Sequence, residues 1–403
     1  MLDGFVERRI LAGADHGTLH GVRLAVKDNI PVEGFRFTAG HPLFLNRRAP
    51  YTAPAVQLLL DAGASIVGMT CTDAGGFGVT TPGVLNPVSR DLIVGGSTGG
   101  AAAAVASGDA DLGIGTDTAG SIRIPAACTG LFAYKPSFDA VPLSRIWPLA
   151  RTFDHVGLLA RSPELLVNAS QTLLGLAPWK PKHFSRQYLR IGVEIKQPAF
   201  RSAWVRDGLK RIAELLRSLG HVIVPVELPE RETTIEAHGI ITVLEGRRVY
   251  QGLTASERAM LGTAASRALN AADRLPDSRL DYARYVLGET RRRFSEVFTQ
   301  VDVLLLPTLP ARPPGVHDKT VKLGELELPV LRAMIYETFL LNMCGAPVVA
   351  IPDIQSTGSS PGSVPFSFQI AGPNRSDLEI LLFSSVVASH LGAGGSTRST
   401  YPA

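Results

Sequence analysis

Cysteine is scarce in this 403-residue chain, and Cys71, Cys128 and Cys344 are odd in number and widely spaced. That pattern excludes a disulfide framework and suits buried, reduced thiols. No HExxH or CxxC occurs, so neither a structural nor a catalytic metal is expected. Long apolar runs are missing too: stretches such as Val301–Leu306 and Ala101–Ala106 are far too short to cross a bilayer. The N-terminus lacks the apolar core and cleavage site of a secretory signal, which leaves the cytoplasm as the expected location. Neither sign of charge dominates, the formal net charge being +4 and spread along the chain. The one tight basic run, Arg291-Arg292-Arg293, reads as a solvated helix face. Without a broader patch and interleaved aromatics, neither nucleic acid nor membrane is an expected partner.

What is present is a steady alternation of strand-like and helix-like segments. Val22–Val26, Ser65–Met69, Leu112–Gly115 and Leu131–Tyr134 read as strands, as do Arg190–Ile195, His221–Leu228, Val301–Leu306, Pro347–Ile351 and Val364–Ile370. Thr52 opens a helix with Pro54 in its first turn, ending at Gly63. Ala101–Ser107, Val205–Leu219 and Asp377–His390 also read as helices. This order predicts an α/β protein: a single α/β/α domain over 1–403, with a large mixed central sheet covered by helices on both faces. Length alone favours more than one domain, but no linker or repeat divides the chain. The segment from about Ala199 to Thr299 is richer in helix and charge and reads as a cap. Gln355–Ser363 reads as a loop and Gly392–Ala403 as a flexible tail.

Chemistry concentrates in one glycine- and alanine-rich passage. It carries Ser97 in Gly95-Gly96-Ser97-Thr98-Gly99-Gly100 and Ser121 in Gly115-Thr116-Asp117-Thr118-Ala119-Gly120-Ser121-Ile122-Arg123. Upstream, Lys27 lies in the apolar run Leu24-Ala25-Val26. A lysine so placed can carry a proton, and a hydroxyl in such a turn can face a substrate. Taken singly, each has an ordinary reading: an edge lysine and two turn-forming serines. Gly95–Gly99 also fits G-x-S-x-G, the nucleophile elbow of α/β-hydrolases. That reading makes Ser97 the nucleophile and needs a later histidine, for which His317 and His390 are the candidates. A phosphate loop fails because Ala101 stands where a lysine is required, and a dinucleotide fingerprint fails at Thr118. No cofactor is expected.

Together the blocks resemble the amidase signature family of serine hydrolases. The resemblance rests on Gly95–Gly100, on Gly115–Ala126, on Lys135-Pro136-Ser137, on Val26-Lys27-Asp28-Asn29 and on Thr152–Gly157, in that family's spacing. It covers about Gly21–Arg161, with weaker agreement toward the C-terminus. The resemblance implies Ser121 as nucleophile, Ser97 as bridging serine after a cis Gly96–Ser97 peptide, and Lys27 as base. It places the oxyanion hole on the backbone amides of Thr118, Ala119, Gly120 and Ser121. Asp117 and Asp154 then brace the glycine-rich loops, and Arg123 pairs with one of them or faces a substrate carboxylate. Thr98 could bond within the relay.

The implied activity is hydrolysis of a small linear amide to a carboxylic acid and ammonia, without a cofactor. Ala119, where glycine is commoner, resembles allophanate-type hydrolases acting on urea-derived amides. Overall length suggests compact malonamidase and indole-acetamide hydrolase relatives ahead of amidotransferase components, which act in a complex. An esterase using Ser97 is the remaining alternative. Ile146, Trp147, Pro148 and Leu149 hint at an aromatic or aliphatic acyl group. A small-molecule amide is the expected partner, and a homodimer the default assembly.

Overall fold

In the computed structural model, which describes residues 3–177, 188–194, 200–276, 278–356 and 363–392, eleven strands hydrogen-bond into one sheet. The first six are β1 (Phe5–Leu11), β2 (Arg23–Lys27), β3 (Ser65–Thr70), β4 (Leu112–Asp117), β5 (Phe132–Lys135) and β6 (His155–Ala160). Then come β7 (Arg190–Glu194), β8 (Val222–Val226) and β9 (Val303–Pro307). β10 (Thr320–Leu323) and β11 (Leu326–Pro329) form a separate hairpin, and β12 (Val348–Asp353) and β13 (Phe366–Ala371) return to the sheet. The order across it is β1-β3-β2-β4-β6-β5-β12-β13-β9-β7-β8. β2 runs parallel to β3 and β4, and β7 parallel to β8 and β9, whereas β6, β5, β12 and β13 pair antiparallel between them.

Both faces of the sheet are buried, so the strands are apolar at nearly every position. Leu24 and Val26 point to one face, where α1 (Pro54–Asp61), α4 (Pro163–Leu173), α5 (Ala203–Ser218) and α12 (Asp377–His390) pack. Ala25 points to the other, against α2 (Gly99–Ser107) and α3 (Arg123–Thr129). Farther along that second face lie α6 (Arg231–Val249), α8 (Thr263–Asp273), α9 (Ser278–Val297) and α11 (Phe339–Met343), packed on Leu304 and Leu306. The short helices α7 (Ala255–Ala259) and α10 (Val330–Ile335) complete the set. α5 shows how sequence makes such a helix. Val205, Leu209, Ile212, Ala213 and Leu216 recur at helical spacing on the buried side, and Ser202 caps the start by accepting from Val205 N at 3.4 Å.

The fold matches the expected class, with local differences. α5 and β8, inside the segment expected as a cap, belong to the main sheet unit, and only the later helices form a separate layer. β1 is absent from the apolar pattern, because Glu7, Arg8 and Arg9 interrupt it; as an edge strand it can carry them toward solvent. Thr52 does not cap α1. Its hydroxyl accepts from Glu33 N at 3.1 Å, and Ala53 holds the cap position. Arg291, Arg292 and Arg293 are all exposed, in keeping with the solvated-face reading, and Arg291 Nε also donates to Met343 O at 2.7 Å at the end of α11. Ile195 and residues 357–362 and 393–403, which fall in the expected strand, loop and tail, lie outside the described residues.

Candidate active site

Parallel neighbours β2 and β4 end at the same edge of the sheet, where open α/β sheets collect ligands. Lys27 is the last residue of β2 and Asp117 the last of β4. Between these strands in sequence, α2 begins just after Ser97, and Ser121 follows β4 in the turn leading to α3. Three distant stretches therefore meet at one place.

Lys27 is fully buried. Its Nζ lies 2.9 Å from Ser97 Oγ, 2.8 Å from Thr116 Oγ1 and 3.4 Å from Thr116 O. Burial disfavours the ammonium and lowers its pKa to about 7, although Asp73, Asp117 and Asp154 pull the other way. The Gly96–Ser97 peptide is cis. Ser121 is buried, and its carbonyl accepts from Thr98 N at 3.1 Å, which ties the two serine loops together. Among the described residues its hydroxyl carries no hydrogen bond.

Asp117 organises the turn that holds Ser121. Its carboxylate accepts from Gly120 N at 2.7 Å and Ile122 N at 3.2 Å. It also pairs with Arg123 at 3.0 Å, both side chains being fully buried. Burial alone would raise the Asp117 pKa, but the guanidinium charge and its hydrogen bonds outweigh that and hold it well below the usual carboxylate range. The rest of the guanidinium is occupied by Gln369 Oε1 at 2.7 Å, Thr338 O at 3.2 Å and Asn342 Oδ1 at 2.6 Å. Of the two readings left open for Arg123, the geometry is the pairing one.

The four amides expected as an oxyanion hole divide. Gly120 N is taken by Asp117, while the amides of Thr118, Ala119 and Ser121 have no partner among the described residues. Gly120 itself sits at φ 125°, and a Cβ there would lie 2.2 Å from Thr338 Oγ1. Only glycine fits this corner. Thr338 Oγ1 donates to Ala119 O at 2.5 Å, and His238 Nε2 donates to Thr118 O at 3.0 Å, so both carbonyls of the turn are pinned.

Asp154 braces the adjoining wall. It accepts from Thr118 Oγ1 at 2.7 Å, from Leu149 N at 3.0 Å and from Ala150 N at 3.1 Å. Burial pushes its pKa up, and these donors offset part of the rise. Thr98 Oγ1 donates to Thr116 O at 3.3 Å, the carbonyl that also faces Lys27. Thr116, Thr118, Ile146, Trp147, Leu149 and Asp154 line one small pocket here. His317 and His390 are exposed, and among the described residues no histidine bonds Ser97 or Ser121. The histidine required by the elbow reading is thus missing from the site.

Sequence reasoning overlooked several participants. Asp73 accepts from Thr81 N at 2.8 Å, and the Thr81 hydroxyl lies 2.9 Å from Gly95 O and accepts from Gly99 N at 3.1 Å. This pair holds the loop that carries Ser97, and a Cβ on Gly96 would come within 2.2 Å of Asp73 Oδ2. Burial raises the Asp73 pKa. Thr116 is the second overlooked residue, since its hydroxyl accepts from Asn29 Nδ2 at 3.0 Å as well as from Lys27. Thr338, Asn342 and Gln369 are more than 200 positions from Asp117 in sequence, and only folding reveals them.

The fold and the site define an enzyme that acts on carbon–nitrogen bonds. The sequence profile of the family described as Amidase matches residues 6–381, and the chain belongs to this amidase signature family. It is 29% identical to a glutamyl-tRNA(Gln) amidotransferase subunit of Natronomonas pharaonis, over 92% of this chain and 96% of that one. The corresponding protein of Haloarcula marismortui is 30% identical, over 96% of this chain and 99% of its own. Among solved structures, one described as an amidase superposes with a TM-score of 0.85 at 30% identity, covering 94% of this chain and 86% of its own. Length had suggested compact amidases ahead of amidotransferase components; these curated relatives reverse that order.

Proposed function

We propose that the site releases ammonia from a primary amide through an acyl-enzyme on Ser121. The observation that carries this reading is the Lys27–Ser97 contact of 2.9 Å at a lysine whose pKa falls to about 7. A neutral amine has two N–H bonds and one lone pair. Here the two N–H bonds meet Thr116 Oγ1 and Thr116 O, and the lone pair is left for the Ser97 hydroxyl hydrogen. Ser97 passes its proton to Lys27 as it takes that of Ser121, and Ser121 Oγ attacks the amide carbon. The free amides of Thr118, Ala119 and Ser121 then face the developing oxyanion. The relay reverses to protonate the leaving nitrogen, ammonia departs, and water cleaves the ester by the same path.

The relatives favour one setting for this chemistry: a component that supplies ammonia within an amidotransferase complex. A free-standing hydrolase of small or urea-derived amides is the second reading, supported by the match to a structure described as an amidase. Fluorophosphonate labelling with peptide mass spectrometry tests the shared chemistry, with Ser121 the expected site. A label on Ser97 instead would overturn it. Recovery of the tagged chain from its native host separates the settings, since the complex reading requires stoichiometric partner proteins.

A further inference from the structure

We propose that His238 is a positioning residue for the reaction: by donating to Thr118 O, it fixes and polarises the Thr118–Ala119 peptide so that the Ala119 amide meets the oxyanion. This rests on the amide-hydrolase reading above. His238 lies within α6, 120 positions from Thr118 in sequence, and its Nε2 stands 3.0 Å from that carbonyl. A carbonyl only accepts, so Nε2 carries the proton. Burial lowers the pKa of the ring to about 4, against the pull of the Thr118 bond and of Asp117, and leaves a neutral donor. Two buried rings hold the imidazole in place. It stacks on Phe153 with centroids 4.5 Å apart and planes 19° apart, and it meets Phe339 edge-on at 5.8 Å.

A peptide group is one conjugated unit, so a hydrogen bond accepted at its oxygen makes its N–H a stronger donor. Among the described residues the cis peptide is Gly96–Ser97, so the Thr118–Ala119 peptide is trans and its N–H points away from His238. That N–H is one of the amides without a partner. The next peptide makes the contrast. Thr338 Oγ1 donates to Ala119 O at 2.5 Å, but the N–H of that peptide, on Gly120, is already given to Asp117 at 2.7 Å. Its polarisation closes the turn and reaches no ligand. The other two free amides also belong to peptides whose carbonyls accept: Asp117 O from Asn342 Nδ2 at 2.8 Å, and Gly120 O from Ile124 N at 2.7 Å. Asn342 is bound up with the Asp117 carboxylate as well, and Ile124 N is backbone. His238 makes its single hydrogen bond to this turn, so its effect on the amide can be separated from the rest.

The test uses the full chain and follows fluorophosphonate labelling of Ser121, with phenethyl trifluoromethyl ketone and its alcohol as competitors. With the ketone, Ser121 Oγ bonds to the carbonyl carbon, the carbonyl electron pair moves to oxygen, and the serine proton passes through Ser97 to Lys27. The alcohol has the same shape and forms no oxyanion. H238F keeps an aromatic ring on Phe153 and removes the donor. It should weaken protection by the ketone about tenfold and leave protection by the alcohol unchanged. H238Q, which retains an N–H donor, should restore part of the loss. H238M carries the same comparison if H238F does not fold. An equal loss for both competitors, or none for the ketone, overturns the role of His238. So does a wild type that the ketone protects no better than the alcohol. In those cases a labelled Ser121 leaves the nucleophile reading standing, whereas an unlabelled Ser121 in the wild type overturns that reading and this inference with it.

Discussion

Lys27 Nζ stands 2.9 Å from Ser97 Oγ in a place where both side chains are almost completely withdrawn from water. A surface lysine beside a serine would remain an ammonium and could only donate. Burial alters the chemistry of the pair, and its consequences can be measured.

Ser121→Ala and Lys27→Ala should each lower turnover by about 10⁴-fold, the scale seen when one member of a nucleophile–base unit is removed. His317→Ala and His390→Ala should leave turnover within assay error. Steady-state ammonia release measures all four.

Activity should rise with pH through about 7, as Lys27 loses its proton and becomes a base. Stability carries the same signature. The unfolded lysine titrates near 10.5 and the folded one near 7, so between these values the unfolded chain binds more protons. The folded state therefore gains stability as pH rises through that window and bears the full penalty below it. Relative to Lys27→Met, the wild type should grow more stable from pH 7 to pH 10, as read by urea unfolding. A constant difference would place the Lys27 pKa outside that window.

Arg123→Met should destabilise the fold by about 3–5 kcal/mol, because it strands the buried Asp117 carboxylate without its cation. The urea midpoint gives the size of the effect. Labelling of Ser121 should weaken in parallel, since Asp117 holds Gly120 N and Ile122 N on either side of the nucleophile.

Gly120→Ala should reduce kcat by about 10²-fold, as expected when a reacting group is displaced by around an ångström. Its φ of 125° and the 2.2 Å approach to Thr338 Oγ1 leave no place for the added methyl. Pairing it with Thr338→Gly, which vacates that space, should recover part of the loss.

The candidate site was legible where it is local. Lys27, Ser97 and Ser121 each sit in short blocks whose spacing survives in the linear chain, and the alternation of apolar segments disclosed the sheet and its flanking helices. What was hidden depends on long-range closure. Asp73 looks like any polar loop residue until Thr81 and Gly95 fold onto it. Arg123 could be assigned to substrate or to structure until Asn342 and Gln369 arrived from the far end of the sequence. β1 escaped because an edge strand tolerates charges that an apolar-pattern reading rejects.

α2 carries a last implication. Every position from Gly99 to Val105 is buried, and a Cβ on Gly100 would lie 2.5 Å from Cys71 N. The helix that launches from Ser97 is thus built of small buried residues, with no room for a side chain at Gly99 or Gly100. Sequence drift in a lineage of such enzymes has little to work with on this floor. Changes of substrate would have to come from residues outside this helix, such as Leu143, Trp147 and Arg151, which line the pocket and are not buried.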